Sequence, residues 1–290
     1  MTPSKKTLLL AAAALIAVRP VVSQQPRTEA PATGTIMLGG GRMEDVTFAE
    51  FAKRFIALAG GPEALIVIIP TANESFPPAI RVRGPATTPK EMRGYLESQG
   101  ARHVVLLHTR DRRVANSPEF AKVLRKARGV WIPGGASRVV ENTYRGTLVQ
   151  RELQGVLDRG GVLAGDSAGS IALGCAFLSW VPHTKTFGKI DDALCLVPNV
   201  VVTPHASGMV DTTGGKRVNW ADQEVLKYVV AHPPTIGINI DESTMLVLHR
   251  DEAEVFGEGG VAIFDAAQNK TRAALRLSAG QRSKIPWRNP

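Results

Sequence analysis

Gly161–Gly174 reads GVLAGDSAGSIALG: a short apolar run meets Gly165-Asp166-Ser167-Ala168-Gly169, after which small and apolar residues resume. These five residues fit G-x-S-x-G. A nucleophile on a sharp turn from strand to helix sits at strained backbone angles, so its neighbours must be small. Such a turn lifts a serine hydroxyl above the sheet edge, and the backbone N–H groups that follow face the same spot, where a developing oxyanion can be held. The bland alternative is a Gly/Ala/Ser bend that packs closely. In a chain with 28 glycines the motif alone decides little; a strand candidate before it and a helix candidate after it favour the nucleophile. A serine hydroxyl also needs a base. Of the six histidines, His205 in TPHASG directly follows an apolar strand candidate and so sits on the rim where Ser167 is expected. His183 is the second candidate. His103 and His108 flank an early strand, His232 precedes Pro233-Pro234 at a helix end, and His249 adjoins Arg250. Structural or solvated roles account for those four. No Cys/His cluster has zinc-ligand spacing, so neither metal nor cofactor is expected.

The elements that must position these residues alternate. Thr35–Leu38 predicts a strand ending in Gly39-Gly40-Gly41, and Phe48, Phe51, Phe55 and Leu58 recur at helical spacing on one buried face. Leu65–Ile69, His103–Leu107, Val130–Ile132 and Val162–Ala164 predict further strands. Helices open at Thr88-Pro89-Lys90-Glu91 and Ser117-Pro118-Glu119, each with a capping residue and proline in the first turn. Another runs from about Val139 to Asp158 and ends at Gly160-Gly161. Repeated strand–helix alternation with short connections requires a parallel sheet covered on both faces, a three-layer, doubly wound α/β architecture with ligands at the carboxyl ends of the strands. Val200–Thr203, Ile236–Ile240, Met245–Leu248, Glu254–Phe256 and Val261–Phe264 are closely spaced short strands, with one helix near Ala221–Val230, and suggest antiparallel hairpins at one side of the same sheet. Residues 34–265 read as a single domain.

The 290 residues suffice for a full core, and 44% hydrophobic with 21% charged residues is an ordinary globular composition. The net charge is +9, of which Lys5, Lys6 and Arg19 lie in residues 1–23. Lys5 and Lys6, the apolar stretch Leu8–Val18, and Val21 and Ser23 before Gln24 predict a secretory signal over residues 1–23, with an uncleaved anchor as the alternative. Residues 24–33 form a polar, proline-containing leader. A secreted or periplasmic protein follows, with no integral membrane span once the signal is removed. Residues 266–290 form a basic tail, read as solvated, with a weak grip on an anionic surface as the sharper alternative. The basic excess is not gathered into one patch, and no nucleic-acid partner is expected. Export would let Cys175 and Cys195 pair, although Cys175 falls in the helix expected after Ser167, where a buried thiol is equally natural.

Three landmarks resemble the cyanophycinase and peptidase E group of serine peptidases, family S51. GVLAGDSAGS (Gly161–Ser170) is similar to the family's nucleophile turn, VWIPGGASRVV (Val130–Val140) to its Gly-Gly strand, and NVVVTPHASG (Asn199–Gly208) with TIGINIDESTMLVL (Thr235–Leu248) to its histidine strand and later strand pair. The resemblance runs from about residue 34 to 265 and implies a class I glutamine-amidotransferase-like, flavodoxin-like fold. It further implies that His205 activates Ser167 and that the N–H groups of Gly135 and Ala168, beside Gly134, hold the oxyanion. The substrate it implies is a small peptide or isopeptide, and the reading leaves room for a homodimer. The chain departs from the pattern at Ala136-Ser137, Pro204, Met209 and Asp211, which argues against cyanophycin itself. Where the family places an acid after the serine, this chain has Pro182, His183 and Lys185. Asp191 or Asp192 could supply the third group if the loop folds back; otherwise both are solvated turn acids and the Ser–His pair stands alone. Asp241 and Glu242 read as a hydrogen-bonded structural pair, and Gly39-Gly40-Gly41-Arg42 as a tight turn rather than an anion cradle. A catalytically inactive binding protein and a serine esterase are the rival functions.

Overall fold

Five apolar runs form strands, β1 (Thr35–Gly39), β2 (Leu65–Ile68), β3 (His103–Leu106), β4 (Gly129–Ile132) and β5 (Val162–Asp166), and β1, β4 and β5 stop at the residues expected to carry the chemistry. The structure, a computed structural model, describes residues 34–75, 86–181, 184, 186–213, 216–265 and 274–285. The expected signal, the polar leader and His183 lie outside the described residues.

Helices α1 (Asp45–Leu58), α2 (Pro89–Ser98), α3 (Arg112–Ala115), α4 (Pro118–Ala121), α5 (Ser137–Tyr144), α6 (Leu148–Asp158) and α7 (Ala168–Leu173) connect and follow these strands. The start of α2 is the expected capping box: the Glu91 N–H donates to the Thr88 hydroxyl, and the Thr88 N–H donates to the Glu91 carboxylate. Phe48, Phe51 and Phe55 of α1 are buried as expected, but Leu58 is 40% exposed because the buried stripe continues through Ala52, Ile56 and Ala59 instead. The long helix expected over 139–158 is two helices. Gly146, at φ +70°, breaks it between α5 and α6, a left-handed conformation that suits glycine.

The rest of the chain adds β6 (Ala176–Val181), β7 (Thr186–Asp192), β8 (Val200–Thr203), β9 (Val210–Thr213), β10 (Lys216–Asn219), helix α8 (Trp220–Ala231), β11 (Ile236–Ile240), β12 (Thr244–His249), β13 (Glu252–Gly257), β14 (Gly260–Asp265), β15 (Leu275–Ser278) and β16 (Arg282–Lys284). One eight-stranded sheet has the order β16-β13-β12-β1-β5-β4-β2-β3; its β1, β5, β4, β2 and β3 are parallel, and β12 adds antiparallel beside β1. This is the mixed α/β fold with a mostly parallel central sheet that the alternation predicted.

The C-terminal strands depart from the expectation of hairpins on that sheet. Only β12, β13 and β16 join it; β8 and β11 lie parallel in a second, six-stranded sheet of order β15-β14-β11-β8-β6-β7, and β9 pairs with β10. Burial explains the division. Side chains alternate across a strand, and Ile36, Leu38, Val130 and Leu163 of the first sheet share one core with Val200, Val202, Ile238 and Ile263 of the second. The first sheet's opposite face buries Met37, Ile66, Ile68 and Trp131 with the α1 aromatics, and the second sheet's opposite face packs Val201, Ala262 and Phe264 on Val225 and Val229 of α8. The stretch expected as a solvated tail instead supplies β15 and β16, one to each sheet; residues 266–273 and 286–290 lie outside the described residues. No helix among the described residues is long and apolar enough to cross a membrane.

Because α7 ends at Leu173, Cys175 lies beyond it rather than within a helix, and it is disulfide-bonded to Cys195 across a separation of 20 residues. Closing a loop of that size restricts the unfolded chain and stabilises the fold by about 3 kcal/mol. Reduction is therefore expected to lower the urea midpoint, and Cys175→Ser combined with Cys195→Ser should match the reduced protein; an unchanged midpoint would contradict the bond's structural role.

Candidate active site

Ser167 occupies the turn between β5 and α7 with φ 50° and ψ −113°, a left-handed backbone that a side chain adopts only under constraint. The motif's glycines are steric requirements of that turn. A Cβ on Gly165 would lie 2.5 Å from the Gly169 carbonyl carbon, and one on Gly169 would lie 1.8 Å from the Ile132 oxygen. The Ser167 N–H donates to the Gly39 oxygen at 3.0 Å. Ser170, fully buried, accepts the Gly39 N–H at 2.9 Å and has the carbonyls of Gly39 (2.8 Å) and Gly165 (2.9 Å) as acceptors for its one hydroxyl proton.

His205 follows β8 with φ 58°, and its N–H donates to the Gly40 oxygen at 2.9 Å. Its Nε2 lies 2.8 Å from Ser167 Oγ. Its Nδ1 lies 3.0 Å from Glu242 Oε1, just past the end of β11. Arg42 bridges the Glu242 carboxylate, with Nη1 3.0 Å from Oε1 and 3.1 Å from Oε2, and the Glu242 N–H donates to Ser207 Oγ at 3.1 Å. Gly41, at φ +86°, lies against the imidazole: a Cβ there would be 2.2 Å from His205 Cε1.

Beside Ser167 opens a cleft of about 330 Å³ whose wall includes Gly135, Arg138, Ala168, Phe177, Thr203 and Met209. Gly134 abuts the serine, since a Cβ on it would lie 3.1 Å from Ser167 Cβ. Gly135, at φ +148°, has room for no side chain, because a Cβ would meet the Ala72 oxygen at 2.2 Å. The Arg138 guanidinium carbon lies 5.3 Å from the centre of the Phe177 ring.

The sequence matches peptidase family S51 over residues 35–256, most of the chain. The chain belongs to that family. Among its relatives are the cyanophycinases of Trichormus variabilis, 29% identical over 253 residues and covering 85% of this chain and 78% of the relative, and of Geminocystis herdmanii, 27% identical over 237 residues and covering 80% of each. A solved peptidase from an acI-B1 actinobacterium shares the fold, with TM-score 0.67 and 23% identity over 87% of this chain and 97% of that one. This S51 member is a serine-type peptidase, a hydrolase of amide bonds.

The S51 chain brings together Ser167 and His205 as their positions predicted, with Gly134, Gly135 and Ala168 alongside. The third group, open on the sequence between Asp191, Asp192 and none, does not fall to Asp192. Asp192 pairs with Arg145 at the surface, the Asp191 side chain lies outside the described residues, and Glu242 holds the imidazole instead. Of the pair read as structural, only Asp241 fits that description: its Oδ2 accepts the Gly260 N–H at 3.0 Å. Glu242 escapes sequence reasoning because its meeting with His205 depends on β11 running parallel to β8, with Thr203 in register with Asn239; the sequence shows only its place just past a strand. The other described histidines are engaged elsewhere: His103 with Glu63, His108 with Thr71, His232 with the Tyr228 carbonyl, and His249 with Thr35.

Asp166, next to the serine, turns its carboxylate away to accept the Gly41 N–H at 3.0 Å. Desolvation raises its pKa from an ordinary 3.8 to about 6, against opposing pulls from His205 and from the Gly41 and Ser167 N–H groups. A carboxyl with a raised folded pKa binds its proton more tightly folded than unfolded, so stability falls as pH climbs between the two values. Asp166→Asn keeps the acceptor for Gly41 and removes the charge. It is expected to be more stable than the wild type by roughly 2–3 kcal/mol at about pH 8, with the gain vanishing near pH 4. Urea unfolding at the two pH values checks this; an equal gain at both would contradict it.

Proposed function

We propose that Ser167, His205 and Glu242 form a nucleophile–base–acid triad and that the chain hydrolyses the amide bond of a small peptide or isopeptide. The observation that carries the reading is the unbroken hydrogen-bonded line from Ser167 Oγ to His205 Nε2 and from His205 Nδ1 to Glu242. His205 Nε2 takes the hydroxyl proton as Ser167 attacks the carbonyl carbon, while the Glu242 carboxylate accepts a hydrogen bond from Nδ1–H, holds the ring in the tautomer whose Nε2 can act as a base, and stabilises the imidazolium that forms. The oxyanion is held by the N–H groups of Ala168 and Gly135. The protonated His205 then donates to the leaving nitrogen, and water releases the acyl group by the same steps. Glu242 supplies the acid whose absence was one of the two reasons for the rival reading of an inactive binding protein; the other, the altered turns at Ala136-Ser137 and after His205, stays with the substrate question.

Arg138 is the one Lys or Arg among the described residues lining the cleft, which favours a substrate carrying a carboxylate near the scissile bond. The relatives named cyanophycinases make β-linked and acidic dipeptides the first compounds to try, although Ala136, Ser137, Pro204 and Met209, where this sequence departs from the family pattern, line the cleft. Export is part of the proposal, supported by the signal-like residues 1–23 and by a disulfide of the kind that persists in oxidising compartments.

A fluorophosphonate probe is expected to label Ser167 stoichiometrically in the wild type and not in Ser167→Ala; folded wild-type protein that stays unlabelled would overturn the reading. Across a dipeptide screen, Arg138→Gln should raise KM for acidic substrates about tenfold or more while changing kcat little. An equal effect on neutral dipeptides would remove Arg138 from recognition, and nitrophenyl esters turned over far better than any amide would point to an esterase.

A further inference from the structure

A second cavity, of about 470 Å³, shares no lining residue with the Ser167 cleft. Its wall includes Ala206, which follows His205, and Asp241, which precedes Glu242. It also carries Asp222, Glu258, Asn239 and Arg276, so among the described residues carboxylates outnumber cations there, in a chain whose net charge is +9. Arg276 pairs with Asp222 Oδ2, and Asp222 Oδ1 accepts from Asn239 Nδ2 at 2.8 Å. That bond fixes the amide orientation, because the opposite flip would set the amide oxygen against a carboxylate. Asn239 is only 1% exposed, and its Oδ1 has no hydrogen-bond partner among the described residues. A buried acceptor left without a donor costs about 1–3 kcal/mol.

An orphaned amide oxygen and a surplus of carboxylates around a ligand-sized space ask for a donor that carries positive charge. The carboxylates are not gathered as metal ligands are: among the described residues no three His, Cys, Asp or Glu side chains group for an ion. We propose that this cavity binds a small organic cation through a guanidinium or ammonium group, which donates to Asn239 Oδ1 and is neutralised by Asp241 and Glu258. A guanidinium suits the site because its several N–H donors can serve the amide oxygen and a carboxylate together.

Titration calorimetry of the full chain with agmatine, and separately with glutarate as an anionic probe, tests the site. Agmatine is expected to bind one to one and glutarate not at all. Asp241→Asn keeps an acceptor for the Gly260 N–H and should weaken agmatine binding about tenfold or more; Asn239→Leu should abolish it. If Asn239→Leu fails to fold, Asp241→Asn decides alone. Three results would each overturn the proposal: no agmatine binding at millimolar concentration, glutarate binding in its place, or agmatine binding that Asp241→Asn leaves unchanged and Met209→Trp, which fills the Ser167 cleft, removes.

Discussion

Three consecutive peptide groups at the end of β1 hold the site together. Gly39 takes the Ser167 N–H, Gly40 takes the His205 N–H and Gly41 takes the Ser243 N–H, at 3.0, 2.9 and 2.9 Å. The serine turn, the histidine turn and the segment after Glu242 come from distant parts of the chain, and each is pinned to this one turn. Glycine is imposed by the closeness of the approach. A Cβ on Gly40 would sit 1.8 Å from the Asp241 oxygen, and one on Gly41 would enter the imidazole. A stretch that resembles a featureless bend is therefore what sets the distance between the three side chains.

That arrangement is held at a cost in backbone and solvation energy. Ser167, His205 and Ser243 all have φ near +50° to +58° without being glycine; such conformations cost on the order of 1 kcal/mol or more each and persist where surrounding contacts over-determine them. The carbonyls of Gly39, Gly40 and Gly41 supply those contacts. Asp166 adds a desolvated carboxyl beneath the serine. Strain and desolvation gathered at one rim, above a core shared by two sheets, fit a scaffold whose stability lies in its strands and whose reactive groups sit where the strands end.

Local patterns were the legible part of the sequence. The Gly165–Gly169 turn, the Thr88 capping box and the alternation up to β5 depend on neighbours within a few residues, so composition and spacing reveal them. Long-range pairing was not legible. Ile236–Ile240 reads the same as a strand in either sheet, and only the shared core of Val202, Ile238 and Leu38 puts it beside β8. From that pairing follows the role of Glu242. A carboxylate 37 residues beyond the histidine meets it because two parallel strands end together, which no local motif reports. Asp192 looked eligible through its nearness in sequence to the site, but strand β7 lies at the far edge of the second sheet and delivers it to Arg145. Gly146 lies inside the apolar helical period that predicted one helix, and only its left-handed φ of +70° in the structure shows the break.

The central claim is that Glu242, and not an aspartate nearer in sequence, supports His205. The most direct measurement is kcat for hydrolysis of a responsive dipeptide by Glu242→Gln, set beside Asp191→Asn and Asp192→Asn, with folding of each checked by circular dichroism. The account predicts a loss of roughly 10²–10⁴-fold for Glu242→Gln, as when a triad acid is neutralised in place, and nearly unchanged turnover for the two aspartate variants. A folded Glu242→Gln enzyme with wild-type kcat, or a comparable loss in Asp191→Asn or Asp192→Asn alone, would contradict it.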